Sequence, residues 1–166
     1  MMNKNSFLLL ALLFLGMLWL IPACAPESPI NERPRADLIF TVKDNGGNPV
    51  PNAQVLLFPF RTPYEDYLSQ NPNGDPSVAS NLDPEDIAVT NSLGEASFVN
   101  RSLASTSSQQ GDVFIHQPNS IYFRVQGELN GSFVTNDSND PATYRLAFPE
   151  LEGGEFILEE IEVFVR

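Results

Sequence analysis

The chain is poor in the residues that most often carry chemistry. It has one cysteine, Cys24, one histidine, His116, and two lysines, Lys4 and Lys43. A single thiol forms no intramolecular disulfide, and no Cys and His residues stand at the spacing of a structural zinc site. Catalysis by a histidine-supported nucleophile would have to use His116. That residue sits in a Gln/Pro/Asn stretch, where a solvated loop histidine is expected, and no Gly-x-Ser-x-Gly elbow accompanies it. No phosphate-cradling glycine loop is present, since Gly46-Gly47 is accounted for by a turn. Positive charge is scarce as well: 9 basic residues stand against 21 acidic ones, a net charge of −12. Such a balance argues against a nucleic-acid partner. The carboxylates are numerous, but their spacing selects no pair for glycoside hydrolysis. The expectation is a protein that is not an enzyme and needs no cofactor.

Long apolar runs are also missing. A membrane-spanning helix needs about 20 such residues. The longest run, residues 7–21, has 15 and follows Lys4. It has the size of a signal-peptide h-region. Ile21-Pro22-Ala23-Cys24 comes next, and here the sequence resembles a bacterial lipoprotein signal, in which the cysteine is acylated. The alternatives are an ordinary signal peptide beside an incidental cysteine, or an uncleaved anchor. The lipoprotein resemblance implies a signal peptide over residues 1–23 and several acyl chains on Cys24, enough for stable anchoring. It also implies a place in the cell envelope, at the outer membrane, with the lipid as the contact to the membrane. The mature chain would carry 8 basic and 21 acidic residues, a net charge of −13. Six of the acids fall between Glu150 and Glu162.

Residues 24–36 are proline-rich and polar and read as a flexible tether. From residue 37 to 166 the pattern is that of strands. Leu38, Phe40 and Val42 share one face of a first strand. Ala53, Val55 and Leu57 share one face of a second, whose other face (Leu56, Phe58, Phe60) is apolar too and needs cover. The Asn/Gly/Pro connector between them predicts a hairpin, and Asn91-Ser92-Leu93-Gly94 predicts another. Thr62, Pro63 and Glu65 suggest a short helix with Thr62 as its cap. Residues 102–111 are low in complexity and read as a mobile loop, with a short edge strand after it. Ile121, Phe123 and Val125 alternate with Tyr122, Arg124 and Gln126. Ile161, Val163 and Val165 alternate with Glu160, Glu162 and Phe164. About seven short strands with little helix predict an all-β fold, a single immunoglobulin-like antiparallel sandwich with a helical excursion after strand 2.

Two motifs sharpen that expectation. Gly47-Asn48-Pro49-Val50-Pro51-Asn52-Ala53-Gln54-Val55 resembles the opening turn and second strand of transthyretin-like, carboxypeptidase-regulatory-like domains. Thr90-Asn91-Ser92-Leu93-Gly94-Glu95-Ala96-Ser97-Phe98 resembles their next turn, and Ile121 to Val125 the strand that follows. The resemblance implies a mostly non-catalytic module that folds, spaces and binds. It departs in the long insertion between Val99 and Ser120.

Two binding readings remain open beside that one. The leading role is a binding or structural module recognising a protein or glycan. The alternative is a glycan- or calcium-binding accessory lipoprotein. Asp83, Glu85 and Asp86 form one acidic loop, and Asp137, Asn139 and Asp140 another. Both offer hard oxygen ligands, but Asp and Asn are equally common turn formers. Tyr64 and Tyr67 could stack on sugar rings or pack onto the sandwich.

Metabolic labelling with a fatty-acid analogue is expected to tag the wild-type protein and not the Cys24→Ser variant. Equal labelling of the two would refute acylation at Cys24.

Overall fold

A computed structural model describes residues 31–77, 86–136 and 139–166. Eleven strands and one helix follow in chain order. They are β1 (Arg35–Asp44), β2 (Gln54–Phe58), α1 (Arg61–Gln70), β3 (Asp86–Val89), β4 (Glu95–Ser102), β5 (Ser105–Gln110), β6 (Val113–Pro118), β7 (Ile121–Leu129), β8 (Ser132–Thr135), β9 (Arg145–Leu146), β10 (Leu151–Glu152) and β11 (Phe156–Val165). One sheet has the order β11-β1-β4, a second β3-β2-β7-β8 with β9 beside β7, and a small third β10-β6-β5. The fold is an all-β sandwich: the first two sheets face each other across one core.

Phe40 sits at the centre of that core and is fully buried. Its ring meets Phe98 of β4 edge-on at 5.8 Å and Phe123 of the opposing sheet at 5.1 Å. Leu38 and Val42 flank it on β1, and Val55, Leu57 and Val125 face it from β2 and β7. Each such side chain gains roughly 1.5–3 kcal/mol by leaving water. The other face of β2 is covered by α1, whose Tyr64 and Tyr67 pack on Leu56 and Phe58. The helix begins after Phe60, which offers no side-chain cap, so Thr62 lies inside the first turn instead of capping it. An Arg61–Glu65 ion pair one turn apart steadies that end.

The two expected hairpins are connections between sheets. β1 and β2 form no ladder. It is the connection between them that folds back on the end of β1, through a Lys43–Pro49 bridge, the Val50 N–H bond to the Val42 carbonyl at 3.0 Å and the Asp44 N–H bond to the Asn48 carbonyl at 2.9 Å. β3 and β4 likewise fall in different sheets. The turn chemistry was read correctly, but it does not distinguish a hairpin from a crossover. Burial does. β2 is apolar on both faces and needs a layer on each, so it takes the interior of one sheet while β1 takes the interior of the other. In the first connection Asp44 accepts from the Gly46 and Asn48 N–H groups, and Asn48 above all holds its carboxyl below the usual carboxylate range. Thr90 stitches the two connections together. Its hydroxyl donates to the Val50 carbonyl at 2.7 Å and accepts from the Ala53 N–H at 2.9 Å.

Four further features differ from the expected pattern. β11 runs parallel to β1 in unbroken register, from Arg35 opposite Phe156 to Asp44 opposite Val165, so the sandwich is not wholly antiparallel. The ordered chain starts earlier than residue 37: Pro34 and Ala36 are buried and Leu103 N–H bonds the Pro34 carbonyl. Residues 102–111 are no loose loop, because β5 pairs with β6 through a two-residue turn at Gly111-Asp112. Ser, Thr and Gln side chains bury nothing there, yet backbone pairing requires no apolar side chain. β6, expected at an edge, is the middle strand of its sheet.

Gly94 has φ +75, and a Cβ there would lie 2.5 Å from the Val42 carbonyl oxygen; Gly111 has φ +62 with open space around it. Gly111→Ala should therefore cost about 1 kcal/mol in urea titration, the conformational term alone. Gly94→Ala should cost clearly more, since the carbonyl must also move. Equal costs would contradict the tight crossing at Gly94.

Candidate functional site

The residues singled out from the sequence are scattered. Cys24, Asp83, Glu85 and Asp137 lie outside the described residues. Asp86 is engaged at both oxygens, by the Ile87 N–H at 3.0 Å and by Arg101 at 2.8 Å. Asp140 caps the short 3-10 turn Pro141–Thr143 by accepting from the Ala142 N–H, and exposed Asn139 precedes it. Among the described residues no three His, Cys, Asp or Glu side chains are grouped to hold a metal. Tyr64 and Tyr67 are 2% and 1% exposed, so packing and not sugar contact is their role in the fold.

His116 is not the solvated loop residue expected. It lies on β6, 2% exposed, with Nδ1 3.0 Å from Ser105 Oγ across the β5–β6 pair. Nε2 has no partner among the described residues. The imidazole is buried, while Ser105 beside it is partly exposed.

A second polar cluster lies under α1. Tyr122, Arg124 and Gln126 share the face of β7 turned away from the core, and α1 and residues 71–75 cover it. Gln126 Oε1 accepts from the Tyr67 hydroxyl at 2.8 Å and from Asn71, while its Nε2 donates to Gln54 Oε1 at 3.0 Å. Arg124, 2% exposed, donates to the carbonyls of Asn136 (3.2 Å) and Pro72 (3.3 Å). Burial pushes its guanidinium down from its ordinary value and pushes the Tyr64 phenol up. Every hydrogen bond just named closes on the protein itself, so this cluster ties α1 to the sheet. Its Tyr64, Tyr122 and Tyr144 rings stack at 5.2–6.4 Å.

What faces outward is the far side of the β11-β1-β4 sheet. Along β11 the outward positions are Phe156, Leu158, Glu160, Glu162 and Phe164. Phe156, Leu158 and Phe164 are 53%, 57% and 50% exposed. Register places Leu158 opposite Asp37 and Glu160 opposite Ile39, and Val99, 69% exposed, projects outward from β4. Lys43 forms an ion pair with Glu162 across the two strands. At the start of β11 an open groove of about 680 Å³ adjoins β10, lined in part by Glu150, Glu152 and Glu155. Exposed apolar side chains set among carboxylates are a surface suited to macromolecular contact. The apolar residues at 156 and 158 are visible in the sequence, but nothing in it shows that their strand lies at a sheet edge.

The chain matches no family model, no curated protein and no solved structure.

Tyr67→Phe removes the donor to buried Gln126 and should cost about 1 kcal/mol. The Tyr64 hydroxyl is buried with no partner among the described residues, so Tyr64→Phe should leave stability unchanged or raise it. Thermal or urea unfolding that reverses this order would contradict the network.

Proposed function

We propose that this protein is a lipid-anchored, non-catalytic module of the cell envelope, held at the outer membrane through Cys24, whose sandwich binds a partner protein. The carrying observation is the outer face of the β11-β1-β4 sheet, where Val99, Phe156, Leu158 and Phe164 stand exposed among carboxylates. Apolar side chains gathered on one solvated sheet face and rimmed by charge are the kind of surface that contacts another macromolecule. The non-catalytic part of the reading is supported by His116, the single histidine, which is buried and turned to Ser105. Burial of Tyr64 and Tyr67 takes away the aromatic platform on which the glycan alternative relied. Asp86 and Asp140 hold protein groups, which weakens the calcium alternative. The likeness to transthyretin-like, carboxypeptidase-regulatory-like domains belongs to the same proposal: their turn motifs fall at the two connections between sheets.

Photo-crosslinking side chains placed at Leu158 and Val99 in the full-length protein, in the producing cell, should each give one adduct of the same discrete mass. The same group at exposed Phe133, on the other sheet, should not give that adduct. Absence of any adduct, or identical adducts from all three positions, would sink the partner-binding reading.

A further inference from the structure

Strand β11 is the outermost strand of its sheet. It pairs with β1 along its whole length. On its other side pairing is confined to the C-terminal end, where Val165 bridges Asn136 and Thr135 and Arg166 exchange two backbone bonds of 3.1 Å. Among the described residues nothing pairs with that side over residues 156–163, about 26 Å of strand. Natural sheets blunt such an edge with charged side chains, lysine above all, with proline or with a bulge. β11 has no lysine and no proline, and its register with β1 is unbroken.

What it carries is acid. Glu162 is paired with Lys43. Glu159 and Glu160, on opposite faces of the strand, have no hydrogen-bond or ion-pair partner among the described residues. Glu150, Glu152 and Glu155 add to the same field at the strand's beginning. A second copy of this chain is a poor occupant: β11 meeting β11 in register, parallel or antiparallel, sets carboxylates against carboxylates. Two other long edges are unpaired on one side among the described residues, those of β4 and β5. The two charged residues of β4 are of opposite sign and engaged, Glu95 with Asn91 and Arg101 with Asp86, and the side chains of β5 are uncharged Ser, Thr and Gln; neither selects a partner by charge.

We propose that β11 takes up an extended, basic segment of a partner protein as an added strand. This rests on the partner-binding reading above and specifies its mode. Main-chain hydrogen bonds to the open edge would supply affinity, and alternate side chains specificity. Apolar side chains of the segment fall beside Phe156 and Leu158 on the outer face. Two adjacent cationic residues fall beside Glu159 and Glu160, one on each face.

The test uses full-length protein in detergent and synthetic eight-residue peptides that alternate valine and threonine around a central arginine pair. Titration followed by fluorescence anisotropy should show saturable binding. A peptide with glutamates in place of the arginines should bind at least about tenfold more weakly. So should one N-methylated at the residues whose N–H groups would face β11. The Glu159→Lys/Glu160→Lys double variant should reverse the preference between arginine and glutamate peptides, a reversal that an unfolded variant could not show. Equal binding of the N-methylated peptide would overturn strand addition. So would loss of saturation, or a dimer in sedimentation that the double variant abolishes. If the peptides fail while Leu158 and Val99 still crosslink one partner in cells, only the mode falls. If both fail, the partner-binding reading falls with it.

Discussion

Strand β2 buries Val55, Leu56, Leu57 and Phe58 in succession, and the layering of the whole domain follows from that run. A strand apolar on one face needs one cover; a strand apolar on both needs two. The β11-β1-β4 sheet supplies the first and helix α1 the second. Because β2 must be interior, it takes β3 and β7 as neighbours, and β1 is left to organise the opposite sheet. The two connections that carry the chain between sheets then cross side by side, which is why Thr90 can bond Val50 and Ala53 at once. Gly94 fits there because the Val42 carbonyl passes so close.

Much of this was legible in residues 38–60. The alternation in β1, the double apolar face of β2, the need for cover and the helix after it can all be read from side-chain order alone. The same holds for the positive φ at Gly94, which the turn sequence demands. Pairing partners were not legible. Asn, Gly and Pro reverse a chain equally well within a sheet or between two, and only the burial demand of β2 decides. β5 escaped notice because its side chains are polar throughout, although the Gly111-Asp112 pair that turns it was a signal in plain view. The burial of Arg124 and Gln126 was not legible: alternation shows two faces and not what covers the second. There Gln126 bonds Tyr67 and Asn71, and Arg124 bonds backbone carbonyls while its Nε has no partner among the described residues.

The candidate surface was half legible. Alternating acids and apolar residues in β11 announce a strand with one wet face. Its place at an edge, parallel to β1, depends on where the rest of the chain goes. Acids on such an edge serve two ends: they discourage self-pairing and define the charge of whatever can pair. Apolar neighbours at Phe156 and Leu158 add contact area without defining direction. The site is therefore a strip of backbone as much as a set of side chains, and no short motif would have marked it.

The parallel partnership of β1 and β11 also orders events in time. Arg35 pairs with Phe156, 121 positions later, and every other pair in that ladder spans the same interval. The first sheet therefore stays one strand short until segments 121 positions apart have met. Until then one flank of β1 lies open, with only β4 available beside it. Contacts this distant in the chain slow folding and lengthen the life of sticky intermediates. β11 thus acts as a latch: β1 keeps an open flank, exposed to mispairing, until β11 closes on it.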